Sequence, residues 1–323
     1  PSFIATRDEE HSTRGRANLL RASMSGVLPE GSITSQRLHD ALDLCLECKA
    51  CKVECDSGVD MAKLKYEFLA NYYKTNKMPF RTKVFAHINR INRLSSKLGF
   101  LTNIGLKMPL TKLVAKAILG VHPNRSLPEL ASETLPRWFK SRTRPDVSKA
   151  TKGTVALFND TFMNYNYPQI GRAAVELLEA AGFQVELANV TTDGDADMGC
   201  CGRPMISKGL LGEAAEAARK MVDLLYTFAQ RDIPIIGFEP SCLLTFRDEY
   251  PELVPGEKSR KVAQQSYLID EFLIMLQEKG ELDLEFSDLP KQILFHGHCH
   301  QKASIGTASS IAALRLPPGY QVE

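Results

Sequence analysis

The chain has no apolar run of the 18 or so residues that would let a helix cross a membrane, because Lys, Arg or Pro interrupts each one. Its eight cysteines, read with no signal peptide among these residues, lack the spacing of a disulfide scaffold, and none is expected. The cysteines suit a reducing compartment, the cytoplasm, and metal ligation. No G-x-G-x-x-G opens a helix, so no nucleotide site is expected. Asp193-Gly-Asp195-Ala-Asp197 begins like a calcium loop, but Met198 stands where glycine is needed and no Glu closes the twelfth position. Acidic side chains are missing between Glu67 and Glu129, a stretch that carries eleven basic ones.

A length of 323 residues points to two domains, and 44% hydrophobic with 24% charged residues is an ordinary globular balance. The net charge of +2 hides an asymmetry. Residues 1–150 carry 25 Lys and Arg against 14 Asp and Glu, and residues 151–323 carry 15 against 24. The basic stretch includes Lys74, Lys77, Arg81, Lys83, Arg90, Arg93, Lys97, Lys107, Lys112 and Lys116. It suits solvated helix faces, an acidic partner domain, or the anionic face of a membrane to which the chain binds peripherally. Nucleic acid is not an expected partner, since aromatic interleaving and a reader motif are both missing.

Cys45, Cys48, Cys51 and Cys55 form a C-x2-C-x2-C-x3-C run, the spacing that holds a [4Fe–4S] cluster in bacterial-type ferredoxins. A zinc knuckle would use two pairs with a longer gap between them. Asp56 replaces the proline that usually follows the fourth cysteine. A single run is half of a two-cluster set, and Pro1-Ser2-Phe3 reads like the segment following the last cysteine of another run. On that expectation Cys55 serves a cluster whose other ligands lie upstream. The alternative is one cluster using all four.

Helices are expected over 13–25, 35–44 and from Asp60 onward, which is the helix, ligand loop, helix layout of an α-helical ferredoxin module over residues 1–75. Residues 76–150 read as a basic segment, helical over 81–118 and broken at Gly99, Gly105 and Pro109, then a Pro- and Ser-rich linker over 121–150. From 151 to 323 strands at 154–158, 183–187, 233–238 and 292–295 alternate with helices at 169–181, 210–230 and 266–277. That alternation implies an α/β domain with a parallel sheet. Val155–Phe158 and Ile293–Phe295 look like the first strands of tandem repeats, the second truncated.

A second cysteine site is expected in this domain. Cys200 and Cys201 lie within Gly199-Cys-Cys-Gly202, whose glycines let neighbouring thiols converge. Cys242 follows the third strand in Glu239-Pro-Ser-Cys242, and Cys299 follows the fourth in His296-Gly-His298-Cys-His300-Gln-Lys302. Sites in parallel sheets gather at carboxyl ends of strands, so Cys200, Cys201, Cys242, Cys299, His298 and His300 are candidate ligands for zinc or iron. His298 and His300 could instead shuttle protons.

Cys200-Cys-Gly202, Glu239-Pro-Ser-Cys242 and His298-Cys-His-Gln-Lys302 resemble the cysteine-rich CCG domain found in heterodisulfide reductase, in the glycolate oxidase iron–sulfur subunit and in anaerobic glycerol-3-phosphate dehydrogenase. Ala5-Thr-Arg-Asp-Glu-Glu-His-Ser-Thr-Arg-Gly-Arg-Ala17 and Gly58-Val-Asp-Met-Ala-Lys-Leu-Lys65 are similar to the C-terminal half of fused FAD and iron–sulfur dehydrogenases acting on D-lactate or D-2-hydroxyglutarate. The resemblance covers nearly the whole chain. It implies an FAD domain upstream in the same polypeptide, electron flow through [4Fe–4S] clusters to a quinone, cytochrome or other carrier, a second Cys-Cys-Gly loop beyond Glu323, and no hydroxyacid oxidation by this part alone. Arg7, Arg14 and Arg16 would face the cluster loop, the flavin domain or solvent. The reductase pattern has a cysteine where this chain has Asp160-Thr161 and a C-x-x-C at Glu239–Cys242. Two of five expected thiolates are gone, which leaves iron, zinc or no metal open at the second site. The rival readings are a thiol–disulfide reductase acting at Cys200 and Cys201, and a zinc-stabilised interaction module.

Overall fold

Local chemistry at the helix starts organises the first part of the molecule. In the computed structural model, which describes residues 1–143, 151–188 and 199–323, Ser12 caps helix Thr13–Met24 by accepting the Gly15 N–H at 2.9 Å. Ser35 caps Gln36–Asp43 in the same way, and Asp60 caps Met61–Thr75 by accepting from Ala62 and Lys63. Each cap satisfies amides that have no partner within the helix. Between the second and third of these helices runs the cysteine loop, with the short helix Ala50–Glu54 inside it. Leu20, Leu38, Leu42, Met61, Phe68, Leu69 and Tyr72 form the core beneath it.

The chain divides into two units. The first contains residues 1–87 with two later segments, 203–214 and 298–306. Gly209 shows why the first of those segments fits. Its φ is +73°, and a Cβ there would lie 2.6 Å from Leu69 Cβ. Only glycine lets that turn lie against helix Met61–Thr75.

The second unit is built on a four-stranded sheet. Strands β1 (Thr154–Leu157), β2 (Gln184–Leu187), β3 (Ile235–Gly237) and β4 (Ser266–Leu268) are all parallel, in the order β2-β1-β3-β4. Thr154 faces Gln184, Ala156 faces Ile235, and Ile235 faces Ser266. Central β1 and β3 are apolar and buried, as strands covered on both faces must be. Val155, Leu157, Val175, Leu178, Ile236 and Phe272 pack the core with Leu135.

Four expectations are corrected. Residues 266–268 do not begin a helix; they form β4, and the helix runs Ile269–Glu278. A three-residue apolar run has too little periodicity to be told from a helix start, and the free edge of β3 decides it. The last expected strand is β5 (Lys291–Ile293), which pairs with β6 (Tyr320–Val322) in a separate parallel sheet, while Leu294 is 89% exposed. Gly105 does not break the basic segment: helices run Ile88–Ser96, Gly99–Lys107 and Pro109–Val114, followed by a π-helical turn over Ala115–Leu119. Met108 is extended because the following proline crowds the helical region. Within residues 121–150, Leu135–Ser141 is helical and Leu135 is fully buried. The Asp193–Asp197 stretch lies outside the described residues. Among the described residues no helix is long and apolar enough to cross a membrane.

Candidate functional site

Helix Gln36–Asp43 delivers the first thiol of the cysteine loop, and the chain then coils through two left-handed residues, Glu47 (φ 55°) and Lys49 (φ 59°). Neither is glycine, so each conformation costs on the order of 1 kcal/mol. Such strain persists where a loop is wound for a purpose. Cys51 follows on the helix Ala50–Glu54, and its sulfur accepts the Met61 N–H at 3.4 Å. Cys55 ends that helix. All four thiols are partly accessible, and no disulfide is formed among the eight cysteines, all of them described residues. Burial pushes the Cys51 thiol up, with Asp60, Cys45 and Cys48 adding to the effect. The Cys45, Cys48 and Cys51 thiols therefore share one electrostatic neighbourhood.

The loop is held from below by buried cations. Lys65 donates to the carbonyls of Asp43 (3.1 Å) and Cys45 (2.7 Å). Arg16 donates to the Ala41 carbonyl (2.9 Å) in the last turn of the helix that leads into the loop, and to Ser2 Oγ (2.8 Å). Arg7 and Arg14, read alongside it from sequence, are exposed.

The second site lies at the carboxyl ends of β1 and β3. The chain leaves these adjacent strands toward opposite sides of the sheet, which is where open α/β sheets form crevices. Cys201 Sγ is 3.1 Å from Cys242 Sγ and 4.0 Å from Cys200 Sγ. These spacings bracket the sulfur–sulfur separation of about 3.8 Å in a tetrahedral thiolate zinc site. Thr161 Oγ1 donates toward Cys200 Sγ at 3.9 Å, and Tyr250 Oη donates to the Cys201 carbonyl at 2.8 Å. Burial and neighbouring acidic groups dominate the electrostatics and favour the protonated forms. Cys200 is driven well above the ordinary thiol value by its hydrogen bond to Cys201 and by burial. The hydrogen bond from Cys201 pulls Cys242 down, but burial and the charge of Asp160 outweigh it and push it up to about 11. Burial lifts Asp160 to about 6, with Glu239 adding its negative charge.

Among the described residues no three His, Cys, Asp or Glu side chains, as they stand, converge closely enough to hold a metal ion. The donor chemistry still fits both groups. Soft thiols on a pre-wound loop suit a cluster of iron and sulfide, and two buried thiols with the partly buried Cys200, beside a carboxylate, suit zinc or iron.

The remaining candidates have partners of their own in the first unit. His298 caps helix Cys299–Ser304 and accepts the His300 N–H at 3.2 Å. Cys299 is exposed. His300 Nε2 lies 3.0 Å from the Glu47 carbonyl, and burial, then the charge of Arg203, lowers its pKa to about 3. It is neutral at physiological pH. Glu47, Lys65 and Arg203 escaped the sequence reading, because no local pattern joins residues so far apart.

No protein-family model matches the chain, and no solved structure does. Its relatives include a component of the anaerobic glycerol-3-phosphate dehydrogenase of Escherichia coli K12, 27% identical over 77% of this chain and 61% of that protein. D-2-hydroxyglutarate dehydrogenase of the same organism is 24% identical over 100% of this chain and 34% of its own length. The probable glycolate oxidase iron–sulfur subunit of Bacillus subtilis is 24% identical over 95% of this chain and 69% of its own. The chain thus spans less than two thirds of the length of the first two. This chain is a homologue of dehydrogenase and oxidase components, among them a protein named for its iron and sulfur.

Proposed function

We propose that the chain is the electron-transfer portion of an FAD-linked 2-hydroxyacid dehydrogenase of the D-lactate or D-2-hydroxyglutarate type. The carrying observation is the C-x2-C-x2-C-x3-C spacing of Cys45, Cys48, Cys51 and Cys55 on a loop wound through left-handed Glu47 and Lys49. Cys45, Cys48, Cys51 and a fourth thiol would hold a [4Fe–4S] cluster, which would supply one-electron storage. The protein's part is to orient and insulate. Lys65 and Arg16 fix the loop's approach, and the Met61 amide donates to Cys51, the kind of hydrogen bond that tunes such sites. Electrons would come from a flavin domain and leave to a quinone, cytochrome or similar carrier. Cys200, Cys201 and Cys242 would hold zinc or iron.

The helices from Ile88 to Leu119 would rest on an anionic lipid surface. None of them has a buried residue, and Phe100, Leu101, Ile104, Leu110 and Leu113 are exposed beside Lys97, Lys107, Lys112 and Lys116. Apolar side chains interleaved with lysine, without one carboxylate from 68 to 128, are the marks of an interfacial segment.

Anaerobic purification with metal and sulfide analysis tests the relay. A brown protein with iron and acid-labile sulfide is expected. A colourless zinc protein without sulfide overturns the proposal in favour of an interaction module.

A further inference from the structure

Glu47, between Cys45 and Cys48, is a buried carboxylate, and the segments that meet it come from distant parts of the sequence. Its Oε1 lies 3.6 Å from Lys65 Nζ and its Oε2 lies 3.6 Å from Arg203 Nη2. All three side chains are at least nine-tenths buried. Its backbone carbonyl accepts from His300 Nε2 at 3.0 Å, across 253 positions of sequence. Lys65 continues to the Cys45 carbonyl at 2.7 Å, so the network is tied to the ligand loop at both ends. Glu47 is the one buried acidic side chain among the described residues of this unit, whereas Arg16, Lys49, Lys65 and Arg203 are all buried there. Buried cations are stabilised by negative charge close by. An iron–sulfur cluster with its thiolates is a negatively charged body, and this inference rests on that reading of the loop.

We propose that Glu47, Lys65 and Arg203 are positioning residues that fix the cysteine loop and set the reduction potential of the cluster it holds, the two cations raising it and the carboxylate lowering it. The reduced cluster carries one more negative charge than the oxidised one. A fixed cation therefore stabilises the reduced form, and a fixed anion opposes it. One unit charge at roughly 10 Å, in an effective dielectric constant of about 20, changes the reduced-to-oxidised ratio about tenfold, equivalent to 59 mV for a one-electron couple.

The test is a redox titration of the anaerobically purified full chain, followed by electron paramagnetic resonance. The signal lost in Cys48→Ser identifies the cluster concerned. Glu47→Gln keeps the shape and removes the charge, and is expected to raise the potential by about tenfold in ratio. Lys65→Met and Arg203→Met are expected to lower it by a similar factor, while Lys65→Arg and Arg203→Lys stay near wild type. Opposite signs are the discriminating result, since mere loosening of the loop would move all the variants the same way. Potentials that do not move, or that all move together, overturn the proposal while leaving the cluster reading intact. Wild-type protein without iron and sulfide overturns the cluster reading, and this proposal with it. Should one methionine variant fail to fold, Glu47→Gln and the remaining methionine variant decide by the opposite signs of their shifts.

Discussion

Arg16 illustrates how much a single side chain contributes here. It is buried, its guanidinium reaches the Ala41 carbonyl and Ser2, and it sits where the helix leading to Cys45 ends. Arg16→Met leaves that buried carbonyl without its donor, which costs about 1–3 kcal/mol. Arg14, exposed and paired with Glu9 at 2.8 Å, contributes little, and Arg14→Met is expected to change stability by less than about 1 kcal/mol. Urea denaturation followed by circular dichroism separates the two; equal effects would show that burial does not set the ranking. The cysteines divide in the same way. Cys48→Ser should remove visible absorption and iron from the first loop. Cys201→Ser should leave that absorption in place and alter only metal at the second site, as metal analysis of both variants will show.

Helix caps govern which elements could be read from sequence and which could not. Ser12, Ser35 and Asp60 announce their helices because capping is chemistry between near neighbours. Strand β4 was hidden because its three residues gain strand identity from β3 alone. The left-handed turns at Glu47 and Lys49 were hidden for a different reason: no glycine marks them. The cysteine spacing was legible, but the buried network behind it required residues 47, 65, 203 and 300 to meet in space. Asp160 combines both kinds of information. It caps helix Thr161–Tyr165, accepting from Phe162 at 2.8 Å and Met163 at 3.0 Å, yet burial raises its pKa from 3.8 to about 6. A carboxyl with a raised folded-state pKa favours the fold below the unfolded value, and the benefit disappears as pH rises through about 6. Asparagine caps as well as aspartate and never ionises. Asp160→Asn should therefore be more stable than wild type by about 1–3 kcal/mol at pH 7.5, with the gain vanishing near pH 4. Thermal melts of metal-free protein at both values provide the check; a gain independent of pH would assign the effect to packing.

At the scale of the whole molecule, the proposed relay predicts that substrate oxidation is not carried by these residues. The chain spans 34% of the length of D-2-hydroxyglutarate dehydrogenase, so purified chain given D-lactate or D-2-hydroxyglutarate and an artificial acceptor should show no turnover. Reduction of the acceptor would place a substrate site within these residues. Its other exceptional feature is the surface from Ile88 to Leu119. Phe100 is 78% exposed, Leu110 65% and Leu113 62%, and in water each is an unfavourable display of apolar area. Inserted at the boundary of a bilayer they would be covered, while the flanking lysines reach lipid phosphates at about 1 kcal/mol each near an anionic surface. Both contributions are needed, so binding should require negative lipid and apolar side chains together. The chain is expected to sediment with vesicles of phosphatidylcholine and phosphatidylglycerol but not with phosphatidylcholine alone. Salt at about 1 M, which shortens the screening length to about 3 Å, should release it. Replacing Phe100, Leu110 and Leu113 by serine should weaken binding about a hundredfold even at low salt, since each loses on the order of 1 kcal/mol of burial. A chain that stays in solution with both vesicle types would leave the surface to a protein partner, and binding unaffected by the triple substitution would make the lysines, not the apolar ridge, its cause.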